Sequence, residues 1–213
     1  RTIELNPKFA EVHCLYSICL VARGQLDEAV AEARRACELD PLSTTYNRYL
    51  GKCFYYARRY DEAIAGFQQA VDLDAKNVQV HEDLAQAFHQ AGYHGQAIVE
   101  HQKALELAGD AEGAAALGSV YASDGFDRAV RMAAEKGLEQ LQAKLDQGEY
   151  VPAICFARAY TALDQTEDAL SWLEKACEER NSFPLLIHVD PFYDPLRSGA
   201  RFTDLLERFS LAG

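Results

Sequence analysis

The sequence predicts an all-α solenoid: about five helix pairs stacked in tandem and closed by a carboxy-terminal cap. Three observations predict it. First, residues recur with a step of thirty-four: Leu20, Phe54 and Phe88; Ala29, Ala63 and Ala97; Ala36, Ala70 and Ala104; Leu5, Leu39, Leu73 and Leu107. Second, turn positions keep the same step at Pro7, Pro41, Ala75 and Gly109. Third, the apolar residues inside each period follow helical spacing, as Tyr46, Tyr49, Leu50 and Cys53 do. A fixed period of this size with helical patterning inside it is the signature of an array in which each unit packs on its neighbours.

The elements follow in order. Residues 1–7, RTIELNP, resemble the end of ARRACELDP at 34–41, so the chain is expected to open in the last turns of an upstream repeat's second helix. Repeat one spans 8–41, with helices at about 8–22 and 26–39 and Gly24 at the turn. Repeat two spans 42–75, with Arg58 in place of the turn glycine, and repeat three spans 76–109, with Gly92 there. Asp27, Asp61 and Thr166 precede second helices and are expected to cap them. A divergent repeat four occupies 110–147 with a long second helix at about 126–146, and a fifth repeat covers 148–180. From 181 to 213 the pattern gives way to a Pro- and aromatic-rich stretch and a short amphipathic helix at about 199–209. Its Phe192, Leu196, Phe202, Leu205 and Leu206 are expected to cover the last repeat's apolar face.

Composition narrows the function. The chain has 213 residues, a formal net charge of −12 and a pI near 4.9. That balance lacks the basic footprint of a nucleic-acid binder. No apolar run approaches the ~20 residues of a membrane span, and no signal peptide is visible at Arg1. The six cysteines form no CxxC pair. Cys19 and Cys53 stand one period apart, where small buried residues belong, which suggests reduced thiols in a cytoplasmic setting.

The residues also carry a resemblance. Asn47-x-x-Leu50-Gly51-x-x-Phe54 followed by Ala63-x-x-x-Phe67-x-x-Ala70 resembles the tetratricopeptide repeat, over about residues 1–180. His13 and His81 stand where that family has Trp or another large residue, and His101 where it has Phe or Tyr. The resemblance implies a right-handed α–α superhelix whose first helices line a concave, protein-binding face. A narrower resemblance covers Tyr150-Val151-Pro152, the run Ala169–Arg180, and Val189-Asp190-Pro191-x-Tyr193-Asp194-Pro195-Leu196-Arg197. It looks like the tail that closes repeat regions of bacterial multidomain signalling proteins, whose amino-terminal parts are winged-helix regulators, serine/threonine kinases or nucleotide cyclases. In the usual tail an acidic-proline pair precedes the final Arg-Phe; here Gly199-Ala200 does.

No catalytic motif is present: no G-x-S-x-G, phosphate-binding loop, G-x-G-x-x-G or H-E-x-x-H. Acidic pairs such as Asp61-Glu62 and Glu167-Asp168 sit at helix starts, where they complement the positive end of the helix. His81, His89, His94 and His101 invite a metal reading, but His81 and His101 fall on core positions and the other two near a turn. The chain is therefore read as a non-enzyme with no cofactor and no metal site. The candidate site is the wall of first helices. Repeat one offers Cys14, Ile18 and Val21. Repeat two offers Arg48, Tyr49, Lys52, Tyr55 and Tyr56, with Arg48 and Lys52 expected to point into solvent. Repeat three offers Glu82, Asp83, Gln86 and His89. Tyr and Arg are frequent interface anchors. Arg48 and Lys52 with the adjoining tyrosines therefore suit a partner segment carrying an acidic side chain beside an apolar or aromatic one, and Glu82 and Asp83 would favour a basic residue further along it. They would also repel a terminal carboxylate, which disfavours docking of chaperone tails. The expected partner is a protein or peptide. The rival reading is self-assembly, a homodimer through the amino-terminal end.

Overall fold

The computed structural model of the chain describes residues 9–179 and 186–208. Those residues contain eleven α-helices, one 3₁₀ segment and no strand, so the class is all-α. The expected half-helix at 1–7, Ile3 and Leu5 in it, lies outside the described residues, as do the first residues of the cap and the end of its helix beyond Arg208. The chain divides into two compact units, residues 1–118 and 119–213.

The first unit is three hairpins in tandem. Helices α1 (Ala10–Ala22) and α2 (Leu26–Leu39) form the first, α3 (Thr44–Tyr56) and α4 (Tyr60–Leu73) the second, and α5 (Val78–Gln90) and α6 (His94–Leu107) the third. Within each hairpin the two helices pack along their length, and α2 packs on α3 as α4 does on α5. The recurring small and large residues meet at these seams. Ala29, Ala36, Ala63, Ala70, Ala97 and Ala104 are all buried, and Leu20, Phe54, Phe67 and Phe88 fill the space they leave. Burying each such large side chain contributes about 2 kcal/mol, against the cost of ordering the chain.

The turns explain both the period and a failed expectation. Gly24, Arg58, Gly92 and Asp164 all adopt positive φ, between 60° and 81°. Around each, one amide closes back on the first helix: Gln25 N–H to Leu20 O at 2.9 Å, Arg59 to Phe54 at 2.9 Å, Tyr93 to Phe88 at 2.8 Å and Gln165 to Tyr160 at 2.9 Å. This left-handed closure satisfies the last carbonyls of the first helix. The second helix then starts at once, so its N-cap residue is Gln25, Arg59, Tyr93 or Gln165, with no side-chain cap. Asp27 and Asp61 therefore lie inside the first turn, and Thr166 is the first helical residue; none of the three is the expected cap. The side-chain caps sit on first helices instead, where Ser43 Oγ accepts from Tyr46 N–H and Asn77 Oδ1 from Val80 N–H, both at 3.3 Å.

Helix α7 (Ala111–Asp124) begins in the first unit. Asp110 accepts from Gly113 N–H at 2.8 Å, and Gln102 Nε2 donates to Ala114 O at 2.9 Å, over Gly118, where a Cβ would strike the Gln102 amide.

The second unit carries α8 (Phe126–Asp146), the hairpin of α9 (Ala153–Ala162) and α10 (Thr166–Glu178), a 3₁₀ segment (Pro191–Leu196) and α11 (Ala200–Arg208). Leu196, Phe202 and Leu205 are buried against Leu170, Leu173 and Ile154, with Phe192 and Leu206 partly buried beside them, so the tail covers the last hairpin as expected. Arg197 ties the tail together by donating to His188 O at 2.6 Å and Asp190 O at 3.1 Å. Arg201 clamps it to α10 through Glu174 and Glu167. Trp172 stacks on Phe156 with centroids 4.2 Å apart, and Lys175 lies over its other face at 3.9 Å.

Candidate functional site

Helices α1, α3 and α5 lie side by side and form one wall of the first unit. Along α3, Arg48 and Lys52 are one turn apart on one face. The structure does not leave them in solvent, as the sequence suggested. Arg48 Nε donates to Asp83 Oδ2 at 2.6 Å, and Lys52 Nζ stands 3.5 Å from Asp83 Oδ1. The side chains are 21% exposed for Arg48, 24% for Lys52 and 12% for Asp83. One half-buried carboxylate is thus shared unequally between two cations, a short charge-assisted bond to Arg48 and a looser contact to Lys52. Asp83 is therefore engaged within the chain and is not an open acid awaiting a basic partner residue, which corrects that expectation.

The remaining candidates divide by burial. Tyr49, Tyr56 and Gln86 are half-buried on the wall, and Glu82 and His89 are exposed. Tyr55 is buried, with its ring 5.6 Å from Tyr56 and 6.0 Å from Tyr60, so it supports the wall from behind. In the first hairpin Cys14 and Val21 are buried and Ile18 half-buried, whereas Leu15 is 54% exposed. Leu15 stands one period before Tyr49, and that step was the signal that could have placed it on the wall.

The histidines have other work. His81 is buried; its Nδ1 lies 2.7 Å from Glu100 and its Nε2 3.0 Å from Ala75 O, while Lys103 donates to Glu100 at 2.8 Å. His13 repeats the arrangement, with Nδ1 2.6 Å from Glu32. Burial holds His101 below the usual imidazole range. Among the described residues no group of three or more His, Cys, Asp or Glu is placed to hold a metal ion, and no helix is long and apolar enough to cross a membrane.

Three of the six cysteines are buried, Cys37 and Cys155 are half-buried, and one is exposed. Cys14, Cys53 and Cys177 are buried, and burial pushes the Cys53 thiol up to about 12 and those of Cys14 and Cys177 up to about 11. Such thiols yield little thiolate near neutrality. Cys19 is exposed, contrary to the expectation from its step to Cys53. Cys53 is buried beside Ser17 and Cys14 of the preceding hairpin.

A concavity of about 430 Å³ opens beside the turns of hairpins two and three, between Arg59, Tyr60, Gln90 and Tyr93. Arg59 there is held by Glu62 and lies over the Phe54 ring at 4.8 Å, so its charge is spent within the chain.

The tetratricopeptide repeat model matches residues 10–41, and a second model of the same repeat matches residues 51–92. The chain therefore carries tetratricopeptide repeats in its first unit. No curated protein matches the sequence. Similar solved structures include MamA, 18% identical, covering 83% of this chain and 85% of that one with a TM-score of 0.48. Another is YrrB, described as a TPR protein with an unusual peptide-binding site, 22% identical over 88% of this chain and 94% of that one, TM-score 0.47. A third is pilF of Pseudomonas aeruginosa, 15% identical over 96% and 93%, TM-score 0.47.

Proposed function

We propose that this chain is a non-catalytic interaction module that holds a partner protein or peptide against the wall of α1, α3 and α5. The observation that carries the reading is the tandem of repeats, which sets three first helices side by side with half-buried aromatic and charged residues along them. Such a surface offers stiff contact area from Tyr49 and Tyr56 and orienting polar groups from Lys52, Gln86 and His89. Its context would be the sensor or scaffold segment of a bacterial signalling or regulatory protein. Support for that context comes from the tail Val189–Arg197, whose Arg197 and buried Tyr193 and Leu196 give it a structural reason to recur behind repeats. The buried thiols suit a reducing, cytoplasmic compartment. The acid balance argues against nucleic acid as the ligand.

The test is affinity capture with three proteins: wild type, the wall variant Tyr49→Ala with Tyr56→Ala, and the outer-face control Gln68→Glu with Gln69→Glu. Arg48 is a poor choice for the wall variant, because its loss also breaks the contact to Asp83. A partner lost only from the wall variant supports the reading. Equal capture by all three moves the site elsewhere.

A second reading, self-assembly through residues 1–30, draws on the exposed Leu15, Tyr16 and Cys19 of α1. Sedimentation equilibrium separates the two. Self-assembly gives a concentration-dependent dimer that Tyr16→Glu dissociates, and the interaction module keeps its partner with that substitution in place.

A further inference from the structure

The wall carries chemistry in a set order, and we infer that the partner segment presents a bulky apolar side chain and, three residues away, a carboxylate. This rests on the wall being the binding surface and adds what it selects. An exposed leucine alone means little. Leu15, however, is 54% exposed with Ile18 half-buried one turn further on the same face. Together they form an apolar seat on α1. On α3 the residue one period after Ile18 is Lys52. Its ammonium has three donors and touches Asp83 only at 3.5 Å, because Arg48 already holds that carboxylate at 2.6 Å. Arg48 holds Asp83 closely and Lys52 only loosely, so a carboxylate brought to Lys52 meets an ammonium with donors to spare, whereas a basic group would meet a cation.

The spacing follows from the packing. Neighbouring helix axes lie roughly 8–10 Å apart. An extended strand advances about 3.3 Å per residue. A segment crossing from α1 to α3 therefore spends about three residues between the apolar seat and Lys52.

The experiment is selection of peptides from a random twelve-residue display library on the immobilised chain. Selected peptides are then synthesised and their affinities measured against wild type, Lys52→Gln, Tyr49→Ala and the Gln68→Glu/Gln69→Glu control. The expected result is enrichment of an apolar residue and an Asp or Glu three positions apart, in one consistent order. Replacing the acid by its amide should weaken binding about tenfold, a step of about 1.4 kcal/mol. Lys52→Gln should weaken the acidic peptide by a similar factor and leave the amide peptide unchanged. Two results overturn the inference and leave the wall standing: peptides that need Tyr49 but lack the pairing, or peptides that need Tyr49 yet are indifferent to Lys52→Gln. Peptides indifferent to both wall variants, or no enrichment at all, overturn both.

Discussion

The second hairpin and its two neighbours solve the same structural problem with different residues. In hairpins one and three a buried histidine on the first helix meets a glutamate on the second: His13 with Glu32 at 2.6 Å and His81 with Glu100 at 2.7 Å. In hairpin two the equivalent residues are Asn47 and Gly66. Asn47 Nδ2 donates to Pro41 O at 3.0 Å and Ser43 O at 2.9 Å. His81 Nε2 faces Ala75 O, the carbonyl one period after Pro41, at 3.0 Å. What the period preserves at this position is a task, anchoring the first helix to the preceding turn; the residue is free to change. The cross-hairpin link is what differs. Where glutamate is missing, Gly66 faces Gly51 so closely that a Cβ there would stand 3.2 Å from the Gly51 Cα, and the Phe67 ring covers Gly51.

The comparison breaks most sharply if the neighbours' solution is moved into hairpin two. Asn47→His with Gly66→Glu places a side chain against the Gly51 backbone and a carboxylate in a space with no room for it. The cost should be about 4 kcal/mol, from overpacking and desolvation of the charge together. Urea unfolding would report it as a lowered midpoint. A double variant as stable as wild type would show that the two solutions are interchangeable and that the glycine contact is incidental.

Removing one partner of the existing pair is the next largest effect. His81→Ala leaves Glu100, 11% exposed, with Lys103 as its remaining partner. Breaking a buried pair from one side typically costs 3–5 kcal/mol, and Lys103 should hold this case to about 3 kcal/mol. Glu100→Gln, which retains an acceptor for the ring, should cost less. If the two variants lose stability equally, the link acts through its charge and the acceptor alone is not enough. Asn47→Ala removes two hydrogen bonds and leaves two carbonyls to find other donors; its expected cost is about 2 kcal/mol by the same measurement.

Much of this architecture was legible in the sequence, for physical reasons that also mark where legibility ends. The thirty-four-residue step locates the seams because Ala29, Ala63 and Ala97 must be small wherever two helices touch. The tail's Phe202 and Leu205 could be assigned to the last hairpin because an uncovered apolar end has to be covered. The caps were misread because an acidic residue near a helix start suits both a cap and the first turn. Only the closure of Gln25 on Leu20 and its equivalents decides between them. The sharing of Asp83 by Arg48 and Lys52 was out of reach, since it depends on how adjacent first helices stagger. The histidine–glutamate pairs did leave a trace, because both span the same nineteen residues along the chain. That repeated separation between opposite faces of a hairpin is the pattern that would have paired them.

The smallest expected effect sharpens the comparison at the turn, where hairpin two again departs from its neighbours. Arg58 sits at φ 60°, in the place held by Gly24 at 70° and Gly92 at 81°. Its backbone makes the same closing bonds, Arg58 N–H to Tyr55 O at 3.0 Å and Arg59 N–H to Phe54 O at 2.9 Å. The bonds being equal, the difference is the left-handed conformation, which costs a residue with a Cβ about 1–2 kcal/mol. Part of that is offset by glycine's greater loss of freedom on folding. Arg58→Gly should therefore stabilise the chain by about 1 kcal/mol relative to Arg58→Ala, the comparison that cancels whatever the arginine side chain contacts. The reverse change supplies a control, because a Cβ at Gly24 or Gly92 meets nothing within 4 Å. Gly92→Ala should then lose a similar amount through backbone strain alone. If Arg58→Gly and Arg58→Ala unfold at the same urea concentration while Gly92→Ala is destabilised, the second turn relaxes in a way the other two do not. Hairpin two would then differ from its neighbours in the turn as well as in the pair that spans it.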